Sequence, residues 1–286
     1  MTPNLFCFGY GFTAREIARQ HSDWTVWGTA RSFSAEAAEA SNATLMQFSG
    51  TDPVPGFDAL REDITHILLS VPPTEEGDPV RKIMGDLLCD LPSLKWIGYL
   101  STTGVYGDLN GGMATEETPV RPSGIRGQRR VEAEAAWQQL HREGGLPLHI
   151  FRLPGIYGPG RNQMVSLMNG KAHRIVKPGH VFSRIHVEDL ARILVASMKK
   201  PDPGRIYNVA DDMPAPPQDV VQYAAELLER EPPPLQDFET ADLSPMARSF
   251  YSDNKTVNNA RIKAELGISL MYPTYKDGLD ALSLTI

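Results

Sequence analysis

The sequence has 286 residues, of which 41% are hydrophobic and 22% are charged, and its net charge is −7. This composition suits about two globular domains and excludes a wholly disordered chain, a collagen-like chain and a disulfide scaffold. The acidic balance argues against a nucleic-acid partner, because nucleic-acid binding needs a clustered basic surface. Cys7 and Cys89 lie in apolar stretches without metal-ligand spacing. We therefore expect two buried thiols and no metal.

The sequence gives no sign of a membrane segment. Its apolar runs are shorter than the about 18 residues that a membrane helix needs. The first residues lead directly into glycines, without a basic segment and a cleavage site. We therefore expect a cytoplasmic protein without a membrane partner.

Short apolar runs alternate with helical patterns along the first half of the chain. Apolar runs predict strands at residues 5–8, 25–29, 45–48, 64–71, 95–101 and 148–153. Helical patterns lie at residues 13–20, after the capping residue Ser34, and at residues 80–91 and 129–142. This alternation predicts an α/β fold with a doubly wound parallel sheet of the Rossmann type, in which ligands bind at the carboxyl ends of the strands.

The pattern loosens beyond residue 160. Short strands are predicted at residues 175–177, 184–186 and 206–209, and helices at residues 164–170, 188–199, 218–229 and 255–267. We assign residues 1–160 to a nucleotide-binding domain. Residues 161–286 are assigned mainly to a smaller α+β cap, with some elements returning to the first domain.

A glycine pattern that suits a phosphate follows the first predicted strand. It reads Gly-Tyr-Gly-Phe-Thr-Ala and begins at Gly9. Gly9 permits a tight turn, Gly11 lets the backbone approach a pyrophosphate, and Ala14 replaces a third glycine that only packs helix on strand. The N–H groups of a helix start favour a diphosphate, so Phe12 and Thr13 are also assigned to the cofactor site. A tight turn without a ligand is the alternative.

The end of the second predicted strand discriminates between the two nicotinamide cofactors. An acidic residue there would bind the ribose hydroxyls of NAD, but the chain has Arg31 and Ser32. A guanidinium can bind the 2′-phosphate of NADP, so the sequence favours NADP over NAD. A purely surface role for Arg31 stays open. Asp52 either contacts the adenine or belongs to a turn. Further cofactor contacts are predicted after later strands, at Ser70, Val71, Pro72 and Pro154.

Several later segments resemble the motifs of one enzyme family. They are residues 99–107, 117–119, 152–161, 185–191, 207–211 and 258–267. In this order they are similar to extended short-chain dehydrogenases/reductases of the NAD-dependent epimerase/dehydratase branch. The resemblance implies a nicotinamide cofactor, a small-molecule substrate such as a nucleotide sugar, and a homodimer as one option. The family usually has Gly-x-x-Gly-x-x-Gly, so the spacing of this chain indicates an atypical subgroup.

The resemblance also implies three groups at the active site. A tyrosine exchanges a proton with the substrate, a lysine four residues later lowers the tyrosine pKa, and a serine or threonine hydrogen-bonds the substrate. Thr102 matches the hydroxyl position, but Arg126 and Arg130 stand in place of the tyrosine and the lysine. Arginine stays protonated, so Arg126 could polarise a carbonyl or hold an anion, and Arg130 could bind ribose hydroxyls. Tyr106 is the nearest alternative proton carrier, and His186 is a weaker one.

Each of these residues could instead have a purely structural role. Thr102 would then be a strand-end residue satisfied by backbone, Arg126 and Arg130 would lie on a solvated helix face, and Tyr106 would be a packed aromatic residue. Two classes of function therefore follow. The favoured one is an oxidoreductase or epimerase/dehydratase-like enzyme with a non-standard active site. The other is a non-catalytic NADP-binding redox sensor or partner-binding module. An anionic substrate is a further option, because the cap carries basic residues: Arg161, His173, Arg174, Lys177, His180 and Arg184.

Overall fold

A computed structural model describes residues 2–285. Its strands are β1 (Asn4–Phe8), β2 (Thr25–Ala30), β3 (Thr44–Gln47), β4 (His66–Leu69), β5 (Trp96–Thr102), β6 (Met113–Ala114), β7 (Leu148–Leu153), β8 (Gly155–Tyr157), β9 (Arg174–Val176), β10 (Arg184–His186), β11 (Ile206–Asn208), β12 (Leu235–Asp237) and β13 (Thr256–Val257). Its α-helices are α1 (Phe12–Gln20), α2 (Ala35–Glu39), α3 (Pro79–Cys89), α4 (Ile125–Gly144), α5 (Gln163–Met168), α6 (Val187–Lys199), α7 (Pro217–Leu227), α8 (Pro245–Phe250), α9 (Ala260–Leu266) and α10 (Tyr275–Ser283).

Seven strands form the main sheet in the order β11-β7-β5-β4-β1-β2-β3. The pairs of β1 with β2 and β4, of β2 with β3, and of β4 with β5 are parallel. The chain runs outward from β1 in one direction as far as β3 and then returns to the other side of β1 at β4. This reversal makes the crevice at the carboxyl ends of β1 and β4 the expected ligand site of a doubly wound sheet. The predicted α/β fold is confirmed.

The chain divides into two compact units, each built from several segments. Unit 1 contains residues 1–102, 128–152 and 191–207, and unit 2 contains residues 103–127, 153–190 and 208–286. The core of unit 1 lies around Phe6, Phe8, Ile67 and Trp137. One core of unit 2 contains Met164, Val220 and Leu279. The functional division at residue 160 stays a prediction, since it assigns roles and not contacts.

Two sequence-based expectations need correction. Residues 255–267 do not form one helix, because Val257 belongs to β13, which pairs with β6, and only α9 is helical. The expected glycine stop holds, since Gly267 ends α9 with a φ of +68°. Cys7 is buried, but Cys89 is half-buried, because it lies in the last turn of α3.

The helices and the His, Cys, Asp and Glu side chains within residues 2–285 bear on the membrane and metal expectations. None of the helices there combines the length and the apolar character that crossing a bilayer requires. In the same range no group of three or more His, Cys, Asp or Glu side chains could hold a metal ion.

Candidate active site

The turn between β1 and α1 has a geometry that only glycine allows at its first position. Gly9 has a φ of +91°, and a Cβ there would lie 2.6 Å from the Oγ of Ser70. The Gly9 N–H donates to Oγ1 of Thr29 at 2.9 Å, and the Ser70 hydroxyl donates to the Gly9 carbonyl at 2.7 Å. The strands on both sides of β1 therefore hold this turn, because Thr29 belongs to β2 and Ser70 follows β4.

Gly11 leaves an open space at the start of α1. It is the N-cap residue, its backbone is extended, and no side chain caps the helix. A Cβ on Gly11 would meet nothing within 4 Å, and the first turn of α1 contains no acidic residue. The N–H groups and the dipole of such a helix start attract an anion. Thr13 and Ala14 are buried behind it, and Phe12 is half-buried. This cradle fits a diphosphate.

Arg31 lies in solvent directly after β2. Among the described residues no carboxylate forms an ion pair with its guanidinium, while its backbone carbonyl accepts a hydrogen bond from Gln47 at 3.1 Å. Ser32 is exposed beside it. The carboxylate of Asp52 is also exposed but accepts a local hydrogen bond from the Thr51 hydroxyl at 2.9 Å. Arg31 can therefore receive a phosphate, whereas the adenine contact of Asp52 stays a prediction.

Three further predicted cofactor residues follow strand ends. Val71 is half-buried and Pro72 is exposed, both after β4, where the chain leaves the sheet earlier than the apolar run suggests. Pro154 is half-buried after β7. Their contact with a cofactor stays a prediction.

Arg130 lies against the end of β5. Its Nη1 donates to the Leu100 carbonyl at 2.7 Å and to the Tyr99 hydroxyl at 3.2 Å, and its guanidinium lies 5.5 Å from the centre of the Tyr99 ring. Thr102, the last residue of β5, is half-buried. Arg130 therefore connects α4 to the strand that ends in Thr102, which is a structural role that leaves ribose binding as a prediction.

A buried ion pair lies beside this strand, and the sequence did not predict it. Glu134 accepts hydrogen bonds from Arg152 at 2.7 and 3.2 Å, and the Ser101 hydroxyl donates to the same carboxylate. Both charged side chains are only 5% exposed. One signal could have revealed the pair: Arg152 is a charged residue within the apolar run of β7, and a buried guanidinium needs a counter-ion.

The remaining candidates belong to unit 2. Tyr106 is completely buried, and its hydroxyl donates to Oδ1 of Asn208 at 2.7 Å. It could carry a proton only if that hydrogen bond opened. His186 accepts a hydrogen bond from the Glu188 N–H at 3.3 Å, so it orders the start of α6. Arg126 is exposed in the first turn of α4, and its proposed role is untested.

A cavity of about 490 Å³ lies within unit 2. Arg161 and Arg184 line it, with Arg161 exposed and Arg184 half-buried. Arg174 and Lys177 lie outside its lining and donate to backbone carbonyl groups. The structure thus brings only part of the predicted basic cap to one site.

Comparison with known proteins agrees with this arrangement. The sequence profile of the NAD dependent epimerase/dehydratase family matches residues 93–210. Protein YeeZ of Escherichia coli (strain K12) is 33% identical over 181 residues, which span 61% of this chain and 58% of YeeZ.

Two solved structures extend the comparison over the whole chain. A functionally unknown conserved protein from Silicibacter pomeroyi is 50% identical, with a TM-score of 0.92 and 99% of each chain covered. The dTDP-glucose 4,6-dehydratase of Bacillus anthracis, in complex with NAD, has a TM-score of 0.81 at 18% identity and covers 99% of this chain and 96% of its own. At that identity the likeness shows the fold alone. The family profile, the motifs and the sheet order agree, and residues 93–210 match the NAD-dependent epimerase/dehydratase family.

Proposed function

We propose that this protein binds NADP(H) at the β1–α1 turn and is an oxidoreductase or an epimerase/dehydratase-like enzyme with a non-standard active site. The observation that carries the proposal is the cradle at Gly9 and Gly11, which Thr29 and Ser70 hold in a shape that fits a diphosphate. The NAD complex of the Bacillus anthracis dehydratase supports a nicotinamide cofactor.

The cofactor preference depends on Arg31. Gly9, Gly11 and the start of α1 would hold the diphosphate of either nicotinamide dinucleotide, whereas Arg31 would favour the additional 2′-phosphate of NADP. When bound, the nicotinamide supplies or accepts the hydride. Every other part of the chemistry falls to the side chains of the protein.

The proposed substrate contacts differ from those of the usual tyrosine–lysine pair. Thr102 would donate a hydrogen bond to a substrate oxygen. Arg126 would supply a fixed positive charge, which can polarise a carbonyl but cannot accept a proton near neutral pH. Arg130 would hold the end of β5 through its bonds to Tyr99 and Leu100. The proton carrier is therefore a group other than these two arginines.

The cofactor proposal is tested by thermal unfolding of cofactor-free protein with NADP(H) and with NAD(H). A ligand at 100 times its Kd stabilises a protein by about 2.7 kcal/mol. We expect a clear shift with NADP(H), a small one with NAD(H), and none for Gly9→Ala. Arg31→Gln should reduce the NADP(H) shift, while Arg142→Gln, which changes an exposed arginine of α4, should leave it unchanged. No shift of the native protein with either cofactor would reject the proposal.

Turnover is tested separately with a panel of carbonyl substrates and NADPH. We expect Thr102→Val and Arg126→Ala each to reduce turnover while NADP affinity changes by no more than a few fold. If the native protein binds NADP(H) but is inactive on the whole panel, the enzyme hypothesis fails and the cofactor site stands.

One observation favours the second function, a redox sensor. The Tyr106 hydroxyl is bound to Asn208, and the two arginines stay charged, so the proton carrier that an enzyme needs is not evident among these residues. A sensor must bind a partner differently in its NADP and NADPH states, because only differential affinity shifts an equilibrium. Equal partner binding in both states would reject this function.

A further inference from the structure

Arg184 is a half-buried arginine that makes no ion pair within residues 2–285. It lines the cavity of unit 2, and its Nη1 is buried without a hydrogen-bond partner. Its Nη2 makes one long contact, 3.4 Å to the Ala215 carbonyl, and its guanidinium lies 5.3 Å from the centre of the Tyr275 ring. An unpaired buried charge is costly, so an anion that enters the cavity would be stabilised by the free Nη1 of Arg184.

The polar groups around Arg184 also lack partners. The Tyr157 hydroxyl and the Ser183 hydroxyl line the same cavity, and both are buried without a hydrogen bond. The nearby carboxyl group of Asp211 has one oxygen without a partner, and burial raises its pKa to about 7. A proton on Asp211 would leave the charge of Arg184 uncompensated. Unsatisfied buried donors that converge on one cavity indicate a polar ligand group there.

Most of the remaining wall surface of the cavity is apolar, although Arg161, Asn162, Gln163 and Ser166 also line it. Its walls include Ile156, Phe182, Val220, Phe250, Tyr275 and Leu279. None of the described residues that line it is acidic. A ligand with an apolar or aromatic body and an anionic end at Arg184 therefore suits this space.

We propose that this cavity binds a small organic acid whose carboxylate lies on Arg184 and whose body is apolar or aromatic. The Tyr157 hydroxyl is the second donor to the carboxylate. A nucleotide sugar is the competing ligand, because Arg161, Asn162, Gln163 and Ser166 also line the cavity and could bind a diphosphate or sugar hydroxyls. That the acid is the substrate rests on the proposed function, whereas its binding does not.

The test is isothermal titration of the full chain with three probes and no added cofactor. They are 3-phenylpropanoate, its neutral amide 3-phenylpropanamide, and UDP-glucose. We expect the acid to bind at least about tenfold more tightly than the amide, because the charge-assisted bond to Arg184 is lost in the amide. An acid that does not bind, an amide that binds equally well, or UDP-glucose that binds more tightly would each overturn the proposal.

Variants then place the site. Arg184→Gln should weaken binding of 3-phenylpropanoate about tenfold or more, while Arg174→Gln, a matched change outside the lining, should leave it unchanged. Tyr157→Phe should weaken it less and serves if Arg184→Gln does not fold. An unchanged affinity in the folded variants of both cavity residues would overturn the assignment. NADP(H) binding is measured on the same samples, so that the failure of the acid site and of the cofactor proposal are separate results.

Discussion

Each unit has an arginine within a strand, and the two differ in whether a carboxylate pairs with the guanidinium. Arg152 in β7 is 4% exposed, and its guanidinium makes two hydrogen bonds to Glu134. Arg184 in β10 has a buried Nη1 without a partner and no ion pair within the described residues. The first charge is compensated by the fold, so it serves stability. The second is left for something outside the fold, which is why the neighbouring cavity and not the ion pair points to a ligand.

The largest expected effect on stability comes from removing the carboxylate that pairs with Arg152. Glu134→Gln leaves Arg152 buried without its counter-ion, and such a change typically costs 3–5 kcal/mol, so we expect a loss of about 3 kcal/mol or more in the free energy of unfolding. Urea unfolding measures it. Arg184→Met is the matched control, for which we expect a change within about 1 kcal/mol, since it removes no ion pair. Equal losses in the two variants would mean that the two arginines do not differ.

The next expected effect is a pH dependence of stability that comes from Asp211, the carboxyl group near Arg184. Burial raises the pKa of Asp211 to about 7, Arg184 and the Met213 N–H oppose this shift, and Asp212 and Asp189 add to it. The folded protein then holds a proton that the unfolded chain releases near pH 4, so this contribution to stability is full below pH 4 and is lost as the pH rises to about 7. Asp211→Asn should remove that loss. The variant should gain on the native protein between pH 4 and pH 7, by up to about 1.4 kcal/mol per unit of the pKa shift.

Thermal unfolding from pH 4 to pH 8 checks this expectation. Asp212→Asn is the control, because Asp212 is exposed and bonds to Lys263 and Asn259. Parallel stability curves for Asp211→Asn and the native protein would show that Asp211 is ionised throughout. The contrast with Arg152 would then lose part of its basis, because an ionised Asp211 would compensate Arg184.

The sequence predicts the cofactor turn well because that site is local. Gly9, Gly11 and the start of α1 are adjacent in the chain, so their spacing alone specifies the turn and the helix start. Arg31 is also within reach of such reasoning, since it directly follows a predicted strand. The same local logic places Ser34 as the cap of α2, where its hydroxyl accepts from the Ala37 N–H.

The cavity of unit 2 escapes sequence reasoning because it is non-local. The pairing of β8 with β10 brings Tyr157 and Arg184 to one cavity, and each of these strands has only three residues. Three residues show no readable alternation. Glu134 escapes for a different reason: on a helix rich in charged residues, a buried carboxylate looks the same in sequence as a solvated one.

The smallest expected effect is on the Tyr106 hydroxyl of unit 2, which is paired by a hydrogen bond, as Arg152 of unit 1 is paired by an ion pair. Tyr106→Phe removes the donor to Asn208 and leaves a buried acceptor unsatisfied, which should cost about 1–2 kcal/mol of unfolding free energy. Tyr157→Phe should cost less, because the Tyr157 hydroxyl has no hydrogen-bond partner among residues 2–285. Urea unfolding compares the two. If Tyr106 only packs, turnover with NADPH stays within a few fold in its variant; a loss of about 10²-fold would make it the proton carrier. The hydrogen bond to Asn208 would then have to open in each catalytic cycle.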